Sequence, residues 1–145
     1  MLEQVVTIFD GMQAMMRKLK KASYETNMKE FRRRHGHYFI EMTEYVENRD
    51  NKEEAAQEVS HRFVKAVEEK FTVKGRIKGT VQADLNFFMI YYVFPAILLT
   101  ESKQAKLLAD TLCNTWGNTF KGSKIGYTDY DTLYKSFREK IFGII

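Results

Sequence analysis

The stretch LNFFMIYYVFPAILL, residues 85–99, most constrains what this chain can fold into. One Asn and one Pro interrupt fifteen residues that otherwise have to leave water, the densest apolar run in the sequence. Flanked by Asp84 and Glu101, the run falls short of the roughly 20 apolar residues that span a bilayer. The expectation is therefore a buried central helix, about residues 83–99, with no membrane span. Pro95 has no backbone N–H and should kink that helix or mark its end.

A helix that is apolar all round needs other helices to cover it, and the remaining sequence supplies them. Leu2, Val5, Val6, Phe9, Met12, Met16 and Leu19 recur with a 3.6-residue period, so a first amphipathic helix is expected there. Tyr24, Met28, Phe31, His35, Tyr38, Met42 and Tyr45 form a second stripe at spacings of three and four, with Ser23 as its candidate N-cap. Asp50 with Glu53, or Asn51 with Glu54, signals the start of a third helix that buries Ala55, Val59, Phe63, Ala66 and Val67. In TVKGRIKGTV, residues 72–81, two glycines punctuate alternating β-branched and polar residues, which predicts a loop, with a short hairpin as the alternative. Beyond the apolar run, Ala105, Leu108, Ala109, Leu112 and Trp116 share one face. Residues 117–128 read as a connection. Thr128 with Asp131 then caps a last helix carrying Tyr130, Leu133, Tyr134, Phe137 and Ile141. The fold class expected is all-α: a single domain, residues 1–145, built as a bundle of five or six helices around the apolar one. A length of 145 residues with 44% hydrophobic content suits one core of that kind.

Charge is more polarised than the net +4 suggests. Residues 16–37 hold eight basic side chains against two acidic ones, residues 38–69 hold nine acids against four bases, and Lys70, Lys74, Arg76 and Lys78 follow closely. Such blocks steer an acidic partner or pair the protein's own elements. The candidate polyanion-binding residues are Arg32, Arg33, Arg34, Lys74, Arg76 and Lys78. The tyrosines that would stack on bases, Tyr24, Tyr38 and Tyr45, lie on the apolar stripe, and no helix-turn-helix, RNA-recognition or zinc-finger spacing accompanies them. VKGRIKGT lies before a helix N-terminus, a natural anion site, yet does not match the phosphate-loop pattern.

Catalytic constellations are harder to build. His35 shares the stripe of Phe31 and Tyr38, whereas His37 projects about 160° away on the same helix, so the two do not chelate one ion. His35 reads as a core-edge histidine satisfied by a neighbour, and His37 and His61 as solvent-exposed. Cys113, the single cysteine, forms no internal disulfide and has no histidine near in sequence, so it reads as a buried or half-buried thiol in a reducing compartment. No catalytic, metal or cofactor-binding residues are assigned. The N-terminus, MLEQVVTIFDGM, lacks the basic and then apolar regions of a signal peptide.

ADLNFFMIYYVFPAILLTES, LADTLCNTWGNTF and IGYTDYDTLYKSFREKI together resemble a group of uncharacterised firmicute proteins, over residues 83–142. In that group an apolar helix ending in Pro-Ala-Ile-Leu precedes Ala-Asp-x-Leu, a Trp and a late Phe-Arg-x-Lys, and a Cys-Phe-Ile box often follows. Phe142 stands where the cysteine of that box would fall, so the box is absent here. The resemblance implies a recurrent helical module of a bacterial cytoplasm and carries no chemistry. The function expected is thus a non-catalytic interaction or regulatory module with a protein partner or a homo-oligomeric state. The alternative is a small-ligand or nucleic-acid (polyanion) binder using the bundle interior or the basic surface at 17–37 and 70–78.

Overall fold

The computed structural model describes residues 5–10, 12, 23–121, 124–125, 128–129 and 132–136. It is all-α save for one two-residue antiparallel pair. Helix α1 (Val5–Ile8) is followed by α2 (Tyr24–Glu47) and α3 (Lys52–Phe71). Helix α4 (Gly79–Phe88), a π-helical turn (Met89–Val93) and α5 (Phe94–Leu98) run on without a break. Helix α6 (Ala105–Thr119), strands β1 (Lys124–Ile125) and β2 (Thr128–Asp129), and helical residues 132–136 complete it.

The helix starts are chemical. Ser23, with extended backbone, accepts the Thr26 N–H at 3.2 Å and so satisfies one orphan donor of α2. Of the two signals near residue 50, Asn51 with Glu54 is the one used. Asn51 Oδ1 accepts the Glu54 N–H at 3.1 Å, and its Nδ2 donates to Glu54 Oε2 at 3.3 Å. Lys52 Nζ donates to the carbonyls of Glu47 and Arg49 at 2.6 and 3.0 Å, placing a cation where the dipole of α2 is negative. At residues 72–81 the hairpin shrinks to one bridge, Val73 to Arg76, around Lys74 and Gly75. Their φ values of 54° and 82° are both left-handed, as a two-residue type I′ turn requires.

The apolar helix differs from expectation at its start and in its middle. It begins at Gly79 rather than near 83, and the 20 residues Gly79–Leu98 are by length and composition enough to cross a membrane. Two thirds of that window is buried inside the fold, where a core helix belongs. Pro95 does not break it. A proline there cannot donate to the Tyr91 carbonyl one turn earlier, and the ladder lengthens locally, the Phe94 N–H bonding the Met89 carbonyl. The Tyr24 hydroxyl, from α2, donates to the Tyr91 carbonyl. Burial first, then the neighbouring Tyr92 and Tyr91, pushes the Tyr24 hydroxyl well above the usual phenol range, so it remains a donor.

Around this helix lies an aromatic core. Phe88 contacts Phe9, Phe31 and Tyr92 with ring centroids 5.2, 5.3 and 5.6 Å apart, and Phe9 reaches Phe63 of α3 at 6.0 Å. Asn86, buried in the same helix, accepts from Trp116 Nε1 at 2.9 Å and Gln82 Nε2 at 3.0 Å. Its polar head is thereby used within the core, as burial demands. Helix α3 packs chiefly on α6, and Ala105, Leu108, Ala109, Leu112 and Trp116 are all buried as expected, with Cys113 beside them.

Three expectations are corrected. The buried stripe of α2 is rotated toward Phe39 and Val46, both fully buried, while Tyr38 and Tyr45 are half-buried. A tyrosine keeps its ring against the core and its hydroxyl outward: Tyr45 Oη donates to Glu58 Oε1 at 3.1 Å. Helix α1 ends at Ile8, with Phe9 and Asp10 in a turn; Ile8, Phe9 and Met12 are buried, and Leu2, Met16 and Leu19 lie outside the described residues. Thr128 belongs to β2, paired with Ile125, rather than to a helix cap. Leu133 is half-buried and Tyr134 buried, whereas Asp131, Tyr130, Phe137 and Ile141 lie outside the described residues.

Candidate functional site: a groove along α2

Along the outer face of α2 runs an open groove of about 700 Å³, closed on its far side by residues 96–102 after the apolar helix. Its two walls are tied together at both ends. Arg32 Nη2 donates to the Leu99 carbonyl at 3.3 Å, and Ser102 Oγ donates to Glu47 Oε2 at 3.1 Å. The chain can turn away from α5 there because Thr100 and Ser102 satisfy the loop locally: Thr100 Oγ1 donates to the Ile97 carbonyl at 2.8 Å, and Ser102 Oγ accepts the Gln104 N–H at 3.1 Å.

The lining is unusual for this molecule. Among the described residues three large apolar side chains are exposed, Ile40 at 47%, Leu99 at 37% and Val73 at 58%, and the first two both line the groove. Gly36 lies on the same face one turn before Ile40, and a Cβ built there meets nothing within 4 Å. Charge divides along α2, with Lys29, Arg32 and Arg33 at one end and Glu44 and Glu47 at the other, and the opposite wall carries Glu101. Arg33 is bound bidentate by Glu30 at 2.7 and 3.0 Å, which holds its guanidinium above the usual arginine range. The side chains of Lys29 and Glu44 make no ion pair or hydrogen bond among the described residues. The trough is thus apolar at its centre and charged at its ends.

Comparison with family models, curated proteins and solved structures finds no match.

The residues singled out from sequence are scattered. Arg32 and Arg33 line the groove, while Arg34 is exposed outside that lining, and Lys74, Arg76 and Lys78 stand exposed on the type I′ turn and before α4. His37 and His61 are exposed, His37 lying against the Tyr38 ring with centroids 3.9 Å apart. His35 departs from its expectation. It is half-buried between Phe31 and Tyr38, and its Nδ1 is buried with no hydrogen-bond partner among the described residues, so no neighbour satisfies that atom. Burial first, and then Arg34 and His37, push its pKa below the ordinary histidine value, with Asp10 opposing weakly. Among the described residues no three His, Cys, Asp or Glu side chains converge as a metal site would need. Lys29 belongs to the basic stretch 17–37 read from sequence, whereas Ile40, Glu44, Glu47, Leu99 and Glu101 are among the groove residues that sequence reasoning missed. The signal available for them was an apolar Ile40 on the polar side of the α2 stripe.

Proposed function

We propose that this chain is a non-catalytic helical interaction module of a bacterial cytoplasm and that the α2 groove is its contact face. The observation that carries this reading is the exposure of Ile40 and Leu99 together in one concavity flanked by both signs of charge. Isolated exposed apolar side chains are ordinary, whereas apolar side chains gathered in a polar-rimmed trough mark a surface that another molecule covers. Asn86 of the apolar helix is engaged by Trp116 and Gln82, which supports a protein rather than a small-ligand role for that side chain. In this reading Gly79–Leu98 is a core helix. The buried single thiol of Cys113 accords with a reducing compartment.

Photo-crosslinking tests this reading. A diazirine amino acid at position 40, expressed in the native host, is expected to give discrete polypeptide adducts that a charge reversal at Glu44 and Glu47 removes. Adducts to nucleic acid or small molecules alone would overturn it and favour the polyanion or ligand alternative.

A further inference from the structure

We infer that the occupant of the groove is a second copy of this chain, whose own α2 lies antiparallel along it. This rests on the interaction reading above and goes further, because the pattern of the face is its own complement. Lys29 and Glu47, Arg32 and Glu44, and Gly36 and Ile40 are three pairs of groove-lining positions, and all three are symmetric about position 38. A two-fold axis level with that position sets each lysine against a glutamate of the partner copy and each isoleucine over the bare backbone of a glycine, with Arg32 and Glu44 flanking the seam on either side. A two-fold interface requires this reciprocity: whatever one position meets, the opposite position must meet in return. A parallel arrangement instead stacks bases on bases and acids on acids.

Spacing agrees with the charge. Positions 29, 33, 36, 40, 43 and 47, all lining the groove, follow the alternation of four and three that keeps one seam facing a partner helix. The face runs through about 27 Å of helix at 1.5 Å per residue. Gly36 is the only glycine within α2, and the space beside it is open. It gives a branched side chain room to sit at the centre of the seam, where two helices approach most closely. Leu99, on the opposite wall, extends the apolar centre sideways. The Lys29 and Glu44 side chains have no partner among the described residues, so the contact supplies theirs, while Arg32 and Glu47 share or exchange their bonds to Leu99 and Ser102.

Two charge-reversed variants test the arrangement: Lys29→Glu with Arg32→Glu, and Glu44→Lys with Glu47→Lys. In sedimentation velocity the wild-type protein is expected to be a dimer. Each variant alone places like charges at both ends and is expected to be a folded monomer by circular dichroism. An equimolar mixture sets acidic residues at 29, 32, 44 and 47 of one copy against basic ones at the same positions of the other and is expected to restore the dimer as a mixed species. A wild-type chain monomeric at every concentration, or a mixture that stays monomeric, overturns the inference, as does a dimer indifferent to both reversals. The two readings separate cleanly. A monomeric wild type that still crosslinks to another polypeptide from position 40 removes self-association and leaves the interaction module standing, whereas one that crosslinks to none removes both.

Discussion

Replacing Phe88 by Ala should remove the ring on which the core converges. Phe88 is fully buried, and its neighbours Phe9, Phe31 and Tyr92 come from three separate stretches of chain. Truncating a buried phenylalanine costs about 3 to 5 kcal/mol, the larger values where the surroundings cannot collapse into the space. Three rigid rings held by α2, the π-turn and the residues after α1 collapse poorly, so the expected loss is about 4 kcal/mol. At about 2.1 cal/mol/K per residue the unfolding entropy of a chain this size is about 0.3 kcal/mol/K, and the melting temperature should fall by about 13 °C. Thermal melts followed by far-UV circular dichroism measure it. The matched control is Phe87→Ala: Phe87 is half-buried and its ring lies tilted against that of Tyr91 with centroids 4.4 Å apart, so its truncation should cost about 1 to 2 kcal/mol. A shift for Phe88→Ala below about 3 °C, or equal to that of Phe87→Ala, would refute the placement of this helix at the centre of the core.

Gly36→Ala meets open space and improves helix propensity, so the folded monomer should gain up to about 1 kcal/mol while self-association, read by sedimentation, weakens. Changing Arg33 and Arg34 together to Gln should move stability by less than about 1 kcal/mol in denaturant titrations, because the Arg33–Glu30 pair is largely exposed. Wild type and double mutant alike should pass through DNA or RNA columns unretained at about 0.15 M salt. His35 gives a pH dependence of known sign: its folded pKa lies below the unfolded value of about 6.5, so the unfolded chain binds the extra proton. Stability is full above that value and declines as pH falls below it, and His35→Gln should flatten the melting-temperature profile over that window.

Much of the helical layout was legible because its signals are local. Ser23, and Asn51 with Glu54, are capping chemistry written in adjacent residues, and the faces of α3 and α6 repeat with a clean period. The stripe of α2 was harder: tyrosines and Phe39 compete for neighbouring positions, and only tertiary contacts decide that Phe39 faces the core while Tyr38 and Tyr45 snorkel. The π-turn left no trace, since residues 89–93 are apolar on every side and no face exists from which a slipped phase could be read. Gly79 and Thr80 are poor helix formers, which hid the true start of the apolar helix; burial of the residues that follow overrides their propensity. The groove was illegible for a different reason. Ile40 and Gly36 belong to one helix, but Leu99 and Ser102 arrive from far along the chain, and a concavity exists only once both walls are placed.

Pulsed electron paramagnetic resonance with a single nitroxide at Glu25, in a Cys113→Ser background, tests the antiparallel contact most directly. Glu25 is exposed in the first turn of α2, outside the groove lining, and lies 13 positions from the proposed symmetry point at 38. Two antiparallel copies therefore separate the labels by about 39 Å along the helix axes at 1.5 Å per residue, and slightly more across them. A distance distribution centred near about 40 Å is the result expected. A separation near the interaxial spacing of about 10 Å, the parallel arrangement, or an absence of dipolar modulation in the concentrated protein would contradict it.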